Sequence, residues 1–66
     1  MDNKINAEWF LNNATGIFTT RLKTNPNIYG TGKSRSAATR AFLKVCDDDG
    51  LPNDRKSYRI RKIKSD

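Results

Sequence analysis

The sequence predicts a small α+β domain of two layers, with two helices on one face of a two- or three-stranded sheet. Three observations lead there. Two short runs rich in β-branched and aromatic residues alternate in polarity, one longer segment repeats its apolar residues at helical spacing, and Gly, Pro and Asn punctuate the chain between them. With 66 residues there is room for one domain, residues 1–66, at a size where folding hides only about 60% of the chain's surface.

The first element expected is a helix. Asn6 can cap "AEWFLNN", Glu8 then falls in the first turn where a carboxylate suits the positive end of the dipole, and Ile5 and Trp9 share a face. This helix should stop between Asn13 and Gly16. "GIFTTRLK" reads as a strand, in which Phe18, Thr20 and Leu22 alternate with Thr19, Arg21 and Lys23. "TNPNIYGTGKS" reads as a loop or wide turn, with room for a short extended piece at Ile28 and Tyr29.

The main helix follows. Ser34 or Ser36 can cap it, and Ala38, Ala41, Phe42 and Val45 fall at i, i+3, i+4 and i+7, with Cys46 one turn beyond Phe42 and Arg40 and Lys44 on the other side. Gly50 is placed to end it and Pro52 to prevent its resumption. "KSYRIRKIK" is a second strand, with Tyr58 and Ile60 on one face, Ser57, Arg59 and Arg61 on the other, and an end or bulge near Ile63. The order is helix, strand, loop, helix, strand. A crossover between the two strands in one sheet would make them parallel and the connection right-handed, leaving both helices over Phe18, Leu22, Tyr58 and Ile60. Two strands alone make a poor sheet, so the chain also invites dimerisation.

Composition narrows the function. Trp9, Phe10, Phe18, Tyr29, Phe42 and Tyr58 supply aromatic bulk for a small core although only 35% of the residues are apolar. One cysteine, Cys46, and no histidine exclude an internal disulfide and a Cys/His zinc site, and Cys46 is expected as a small buried residue in a reducing compartment. No run approaches the ~18 apolar residues of a membrane span, and "MDNKINAEW" lacks the apolar core of a signal peptide. A cytoplasmic protein without cofactor, metal or membrane partner is expected. With Glu8 the only glutamate and no histidine, no acid-base pair can be picked out, so an enzyme is not expected.

Thirteen basic against seven acidic side chains, a formal charge of +6, favour a polyanionic partner. Gly-Lys-Ser at residues 32–34 is not a phosphate loop, because Asn27 stands where that motif requires glycine. "GIF" and "IYG" look like the paired tripeptides of GIY-YIG nucleases, but the second has lost its order and no carboxylate follows to hold a metal. "GTGKSRSAATRAFL" looks like the glycine-rich turn and basic-tipped helix of double-stranded-RNA-binding domains. That resemblance implies phosphate contacts from Lys33, Arg35 and Arg40. The segment departs from the family in lacking consecutive lysines and in placing a strand after the helix. "DDDG" at Asp47–Gly50 is not a calcium loop, since Val45 would be its first ligand; it is expected to balance basic charge within the chain, the alternative being contact with a basic partner or a weak metal site.

The densest basic stretch is Arg55, Lys56, Arg59, Arg61, Lys62 and Lys64. If the strands pair, Arg21, Lys23, Arg59 and Arg61 gather on an uncovered sheet face that could lie against a phosphate backbone. The expected function is therefore a small nucleic-acid-binding module, for DNA or RNA, contacting phosphates through Arg21, Lys23, Lys33, Arg35, Arg40, Arg59, Arg61 and Lys62, with Tyr29 as a stacking candidate. The rival expectation is a protein-interaction module, an inhibitor or adaptor of the mobile-element type, docking on an acidic surface or pairing through its sheet edge.

Overall fold

The computed structural model describes residues 4–63, and its first element is a strand rather than the expected helix. The order is β1 (Ile5–Asn12), β2 (Ile17–Leu22), β3 (Tyr29–Gly32), α1 (Arg35–Asp48), a one-turn 3-10 helix (Arg55–Ser57) and β4 (Tyr58–Lys62). There is one α-helix among the described residues, and it packs on a four-stranded sheet of order β3-β2-β1-β4. The two-helix layer and the helix-first order are both corrected by this.

The reason lies in what β1 gains. A helix of about seven residues is marginal in water because its nucleus is costly and few residues repay it. As a strand the same segment sits inside the sheet, antiparallel to β2 on one side and parallel to β4 on the other. Ile5, Ala7, Trp9 and Leu11 then alternate with Asn6, Glu8, Phe10 and Asn12, and Ala7 is buried. The β1–β2 hairpin closes through Asn12, whose carbonyl accepts from the Gly16 N–H at 2.7 Å and whose side chain accepts from the Ala14 N–H at 3.0 Å. Gly16 takes φ 72°, a left-handed conformation that glycine adopts without steric cost.

Because β1 occupies the centre, β2 and β4 do not pair with each other. The parallel partner of β4 is β1, and the strand that feeds the helix is β3. The short extended piece expected at Ile28 and Tyr29 overlaps this third strand only at Tyr29: β3 runs on through Gly30 to Gly32, where the sequence predicts a loop, and pairs antiparallel to β2 through Phe18↔Gly32, Thr20↔Gly30 and Arg21↔Tyr29.

Helix α1 lies over β3 and β2. Ser34 caps it, its hydroxyl accepting from the Ala37 N–H at 3.2 Å. Gly50, at φ 79°, ends it: its N–H reaches the Asp47 carbonyl at 3.1 Å and the Leu51 N–H reaches Cys46 at 2.8 Å, the paired bonds of a Schellman turn. Ala38, Phe42 and Cys46 form the buried stripe. They meet Ala7, Leu22, Ile28 and Tyr58, with Ile5, Leu43, Val45, Leu51 and Ile60 packed around them.

The approach of helix to strand is close enough to require glycine. A Cβ on Gly30 would stand 2.1 Å from the Phe42 backbone nitrogen, and one on Gly32 2.5 Å from the Ala37 Cβ. The two glycines of "YGTG" are thus not turn residues but contact residues, with alanines 37, 38 and 41 as their counterparts on α1. Tyr58 fixes the far connection, its hydroxyl donating to the Pro52 carbonyl and its ring meeting Phe42 edge-on at 5.2 Å. Thr20 is fully buried between these layers, and its hydroxyl has no hydrogen-bond partner among the described residues.

Candidate nucleic-acid interface

Register decides which side chains share the uncovered face. Residues opposite Ala7, Leu22 and Gly30 in parity point away from α1, so Tyr29, Arg21, Glu8 and Arg61 form one row across all four strands. A second row holds Asn6 beside Arg59, and Lys23 joins it through a hydrogen bond from its N–H to the Asn6 carbonyl at 3.1 Å. Asn6, Glu8, Lys23, Arg59 and Arg61 together border a shallow depression of about 360 Å³. The gathering expected of Arg21, Lys23, Arg59 and Arg61 therefore occurs, with β1 between the two pairs.

β1 brings a carboxylate into that face. Glu8, whose side chain keeps 16% of its exposure, accepts from the Arg21 Nε at 2.8 Å. The Arg21 guanidinium also stands 5.1 Å from the centre of the Phe10 ring. These two contacts hold the group in one orientation. Part of its charge is answered within the fold, so Lys23 and Arg61 carry more of the outward field than Arg21 does. Among the described residues no carboxylate lies within 4 Å of Lys23 or Arg61.

Tyr29 stands at the edge of the same face, on β3, and is 51% exposed. A tyrosine in a core would hide its ring, so this one is available for contact. Thr19, Thr31, Phe10 and Ile17 lie beyond the charged row and make the rest of the face small, hydroxylated or apolar.

The remaining predicted cations are elsewhere. Lys62 pairs in register with Trp9 on the helix side, its Nζ 5.7 Å from the ring centre, although the residue also borders the open-face depression. Arg35 reaches the same tryptophan from the first turn of α1, its guanidinium 4.4 Å from the ring centre. Phe18 packs beside Trp9 at 5.8 Å. Arg40 is exposed on α1, and Lys33 is exposed in the turn that precedes it. The sheet separates Arg35, Arg40 and the charged end of Lys62 from the open-face set, so the eight cations do not make one surface. Lys64 lies outside the described residues.

Two residues of the face escape sequence reasoning. Glu8 reads there as part of a helix turn and Phe10 as part of no site; the alternation of Asn6, Glu8, Phe10 and Asn12 with apolar neighbours is the signal for both. On the buried side, loss of solvent around Cys46 raises its thiol pKa above the ordinary 9.0, against a lowering contribution from the Tyr58 hydroxyl. Burial raises the Tyr58 phenol as well. Both groups therefore stay neutral at neutral pH.

Among the described residues no helix is long and apolar enough to cross a membrane, and no group of three His, Cys, Asp or Glu side chains could hold a metal ion. No family model matches this sequence, and neither the curated proteins nor the solved structures yield a match.

Proposed function

We propose that this chain is a nucleic-acid-binding module whose uncovered sheet face lies against a phosphate backbone. The observation that carries the reading is the pair of cationic rows, Arg21 with Arg61 and Lys23 with Arg59, on the face that α1 leaves open. Lys23, Arg59 and Arg61 make the direct phosphate contacts. Arg21, steadied by Glu8 and Phe10, presents a fixed fork, the arrangement that suits a phosphate or a base edge better than a freely rotating chain does. Tyr29 stacks on a base where the strand is single.

Such binding should weaken steeply with salt. In a titration against a DNA duplex, an RNA duplex and a single strand, Arg59→Ala with Arg61→Ala should weaken binding and flatten the plot of log K against log salt by roughly 2 units for a duplex. The three nucleic acids distinguish DNA from RNA and paired from single strands. No binding at low salt would overturn the proposal.

The outer edge of β4 supports a second reading. β4 ends the sheet and carries Arg59, Arg61 and Lys62, so an extended acidic segment of another protein could add to it as a further strand. Retention of an acidic partner through β4, with no affinity for any nucleic acid, favours that reading.

A further inference from the structure

On the other side of the sheet, α1 lies mainly over β3 and β2 and meets β4 at Tyr58, and a groove of about 630 Å³ opens beside it. Its lining is Arg35, Ser36, Thr39, Arg40, Leu43 and Arg55. Positions 35, 39 and 43 fall on successive turns of the helix, and Arg55 enters from the 3-10 turn before β4. The lining therefore comprises three arginines, two hydroxyl-bearing residues and one leucine. No carboxylate lines the groove, and among the described residues none lies within 4 Å of any of the three arginines.

We propose that this groove is a second binding site for nucleic-acid phosphates, separate from the open sheet face. Three like charges converging on one groove without a carboxylate repel one another, and an anion between them relieves that repulsion. Guanidinium forks and hydroxyls are the donors that suit phosphate oxygens. Length favours a phosphodiester chain over a single ion, because Arg35 to Leu43 covers about 12 Å of helix and a duplex strand presents a phosphate every ~3.4 Å along its axis. Arg35 is already held in place over the Trp9 ring at 4.4 Å. Since the two sites face opposite ways, one chain can hold two nucleic-acid segments at once. This bridging rests on the open-face reading; the phosphate chemistry of the groove does not.

Two measurements test it on the full chain. Sodium pyrophosphate titrated into the labelled protein should give saturable amide shifts at Ser36, Thr39, Arg40 and Arg55, lost in Arg40→Glu with Arg55→Glu. Shifts that are absent, or spread evenly over the open-face cations, overturn the site. Wild-type protein on an immobilised duplex should also capture a second, labelled duplex. The charge-reversed variant should lose that capture by a factor on the order of ten, while keeping most of its affinity for one duplex. Arg40→Gln with Arg55→Gln, a milder change at two exposed positions, should give an intermediate loss and guards against a folding defect. Capture and pyrophosphate shifts unchanged by charge reversal sink the groove alone. Duplex affinity unchanged by Arg59→Ala with Arg61→Ala sinks the open-face reading alone.

Discussion

Single residues set the closest tolerances in this fold. A methyl group on Gly30 would fall only 2.1 Å from the Phe42 nitrogen, and that neighbour is backbone and cannot swing aside. Gly30→Ala must push α1 off β3 or bend the strand, and overpacking of this kind costs about 1–3 kcal/mol. Chemical unfolding of the variant should show that loss; unchanged stability would mean that helix and strand stand further apart. Glu8 is as consequential for the surface. It anchors Arg21 on the open face at the expense of some positive field, which makes that arginine a positioned donor and leaves Lys23 and Arg61 as stronger electrostatic contacts.

At the scale of elements, the sheet and helix differ in what holds them. β1 depends on its neighbours, since it is central and its ladder partners on both sides come from elsewhere in the chain. α1 is specified locally at both ends, by the Ser34 cap and the Gly50 turn. Ser34→Ala should therefore cost about 0.5–2 kcal/mol, the usual range for a lost N-cap. The loss should appear in urea unfolding followed by circular dichroism. Ser36→Ala is the control, because that hydroxyl does not cap the helix and its removal should cost much less. Equal effects would show that the cap bond between Ser34 and Ala37 contributes little.

For the whole molecule, the buried Tyr58 and Cys46 link stability to alkaline pH. Both folded-state pKa values are raised above the ordinary 10.0 and 9.0, chiefly by burial. Above those ordinary values the unfolded chain releases the protons while the folded chain retains them, so the unfolded state gains and stability falls as pH rises. The contribution is fully present below about pH 9 and declines beyond it. Urea midpoints taken between about pH 8 and 11 should fall, and Tyr58→Phe should flatten the upper part of that decline even though the variant starts lower for want of the bond to Pro52. A flat profile in the parent protein would contradict the buried environment of both groups.

Much of the local structure is legible without coordinates. The stripe of Ala38, Phe42 and Cys46, the cap at Ser34 and the stop at Gly50 are local patterns, and a helix of 14 residues expresses them directly. The alternation in β2 and β4 likewise places Arg21, Arg59 and Arg61 opposite Leu22, Tyr58 and Ile60. The segment from Ile5 to Asn12 carries two compatible patterns, a capped helical turn and a strand alternation, and only the ladders from β2 and β4 select the second. That selection is tertiary, because hydrogen-bond partners distant in sequence supply it. The same insertion of β1 brings Glu8 between Arg21 and Arg61, and the packing of α1 on Gly30 and Gly32 puts Arg35 and Arg40 across the sheet from them. Charge and periodicity in the sequence determined that basic faces would exist; strand order, settled by long-range pairing, decided which cations share one.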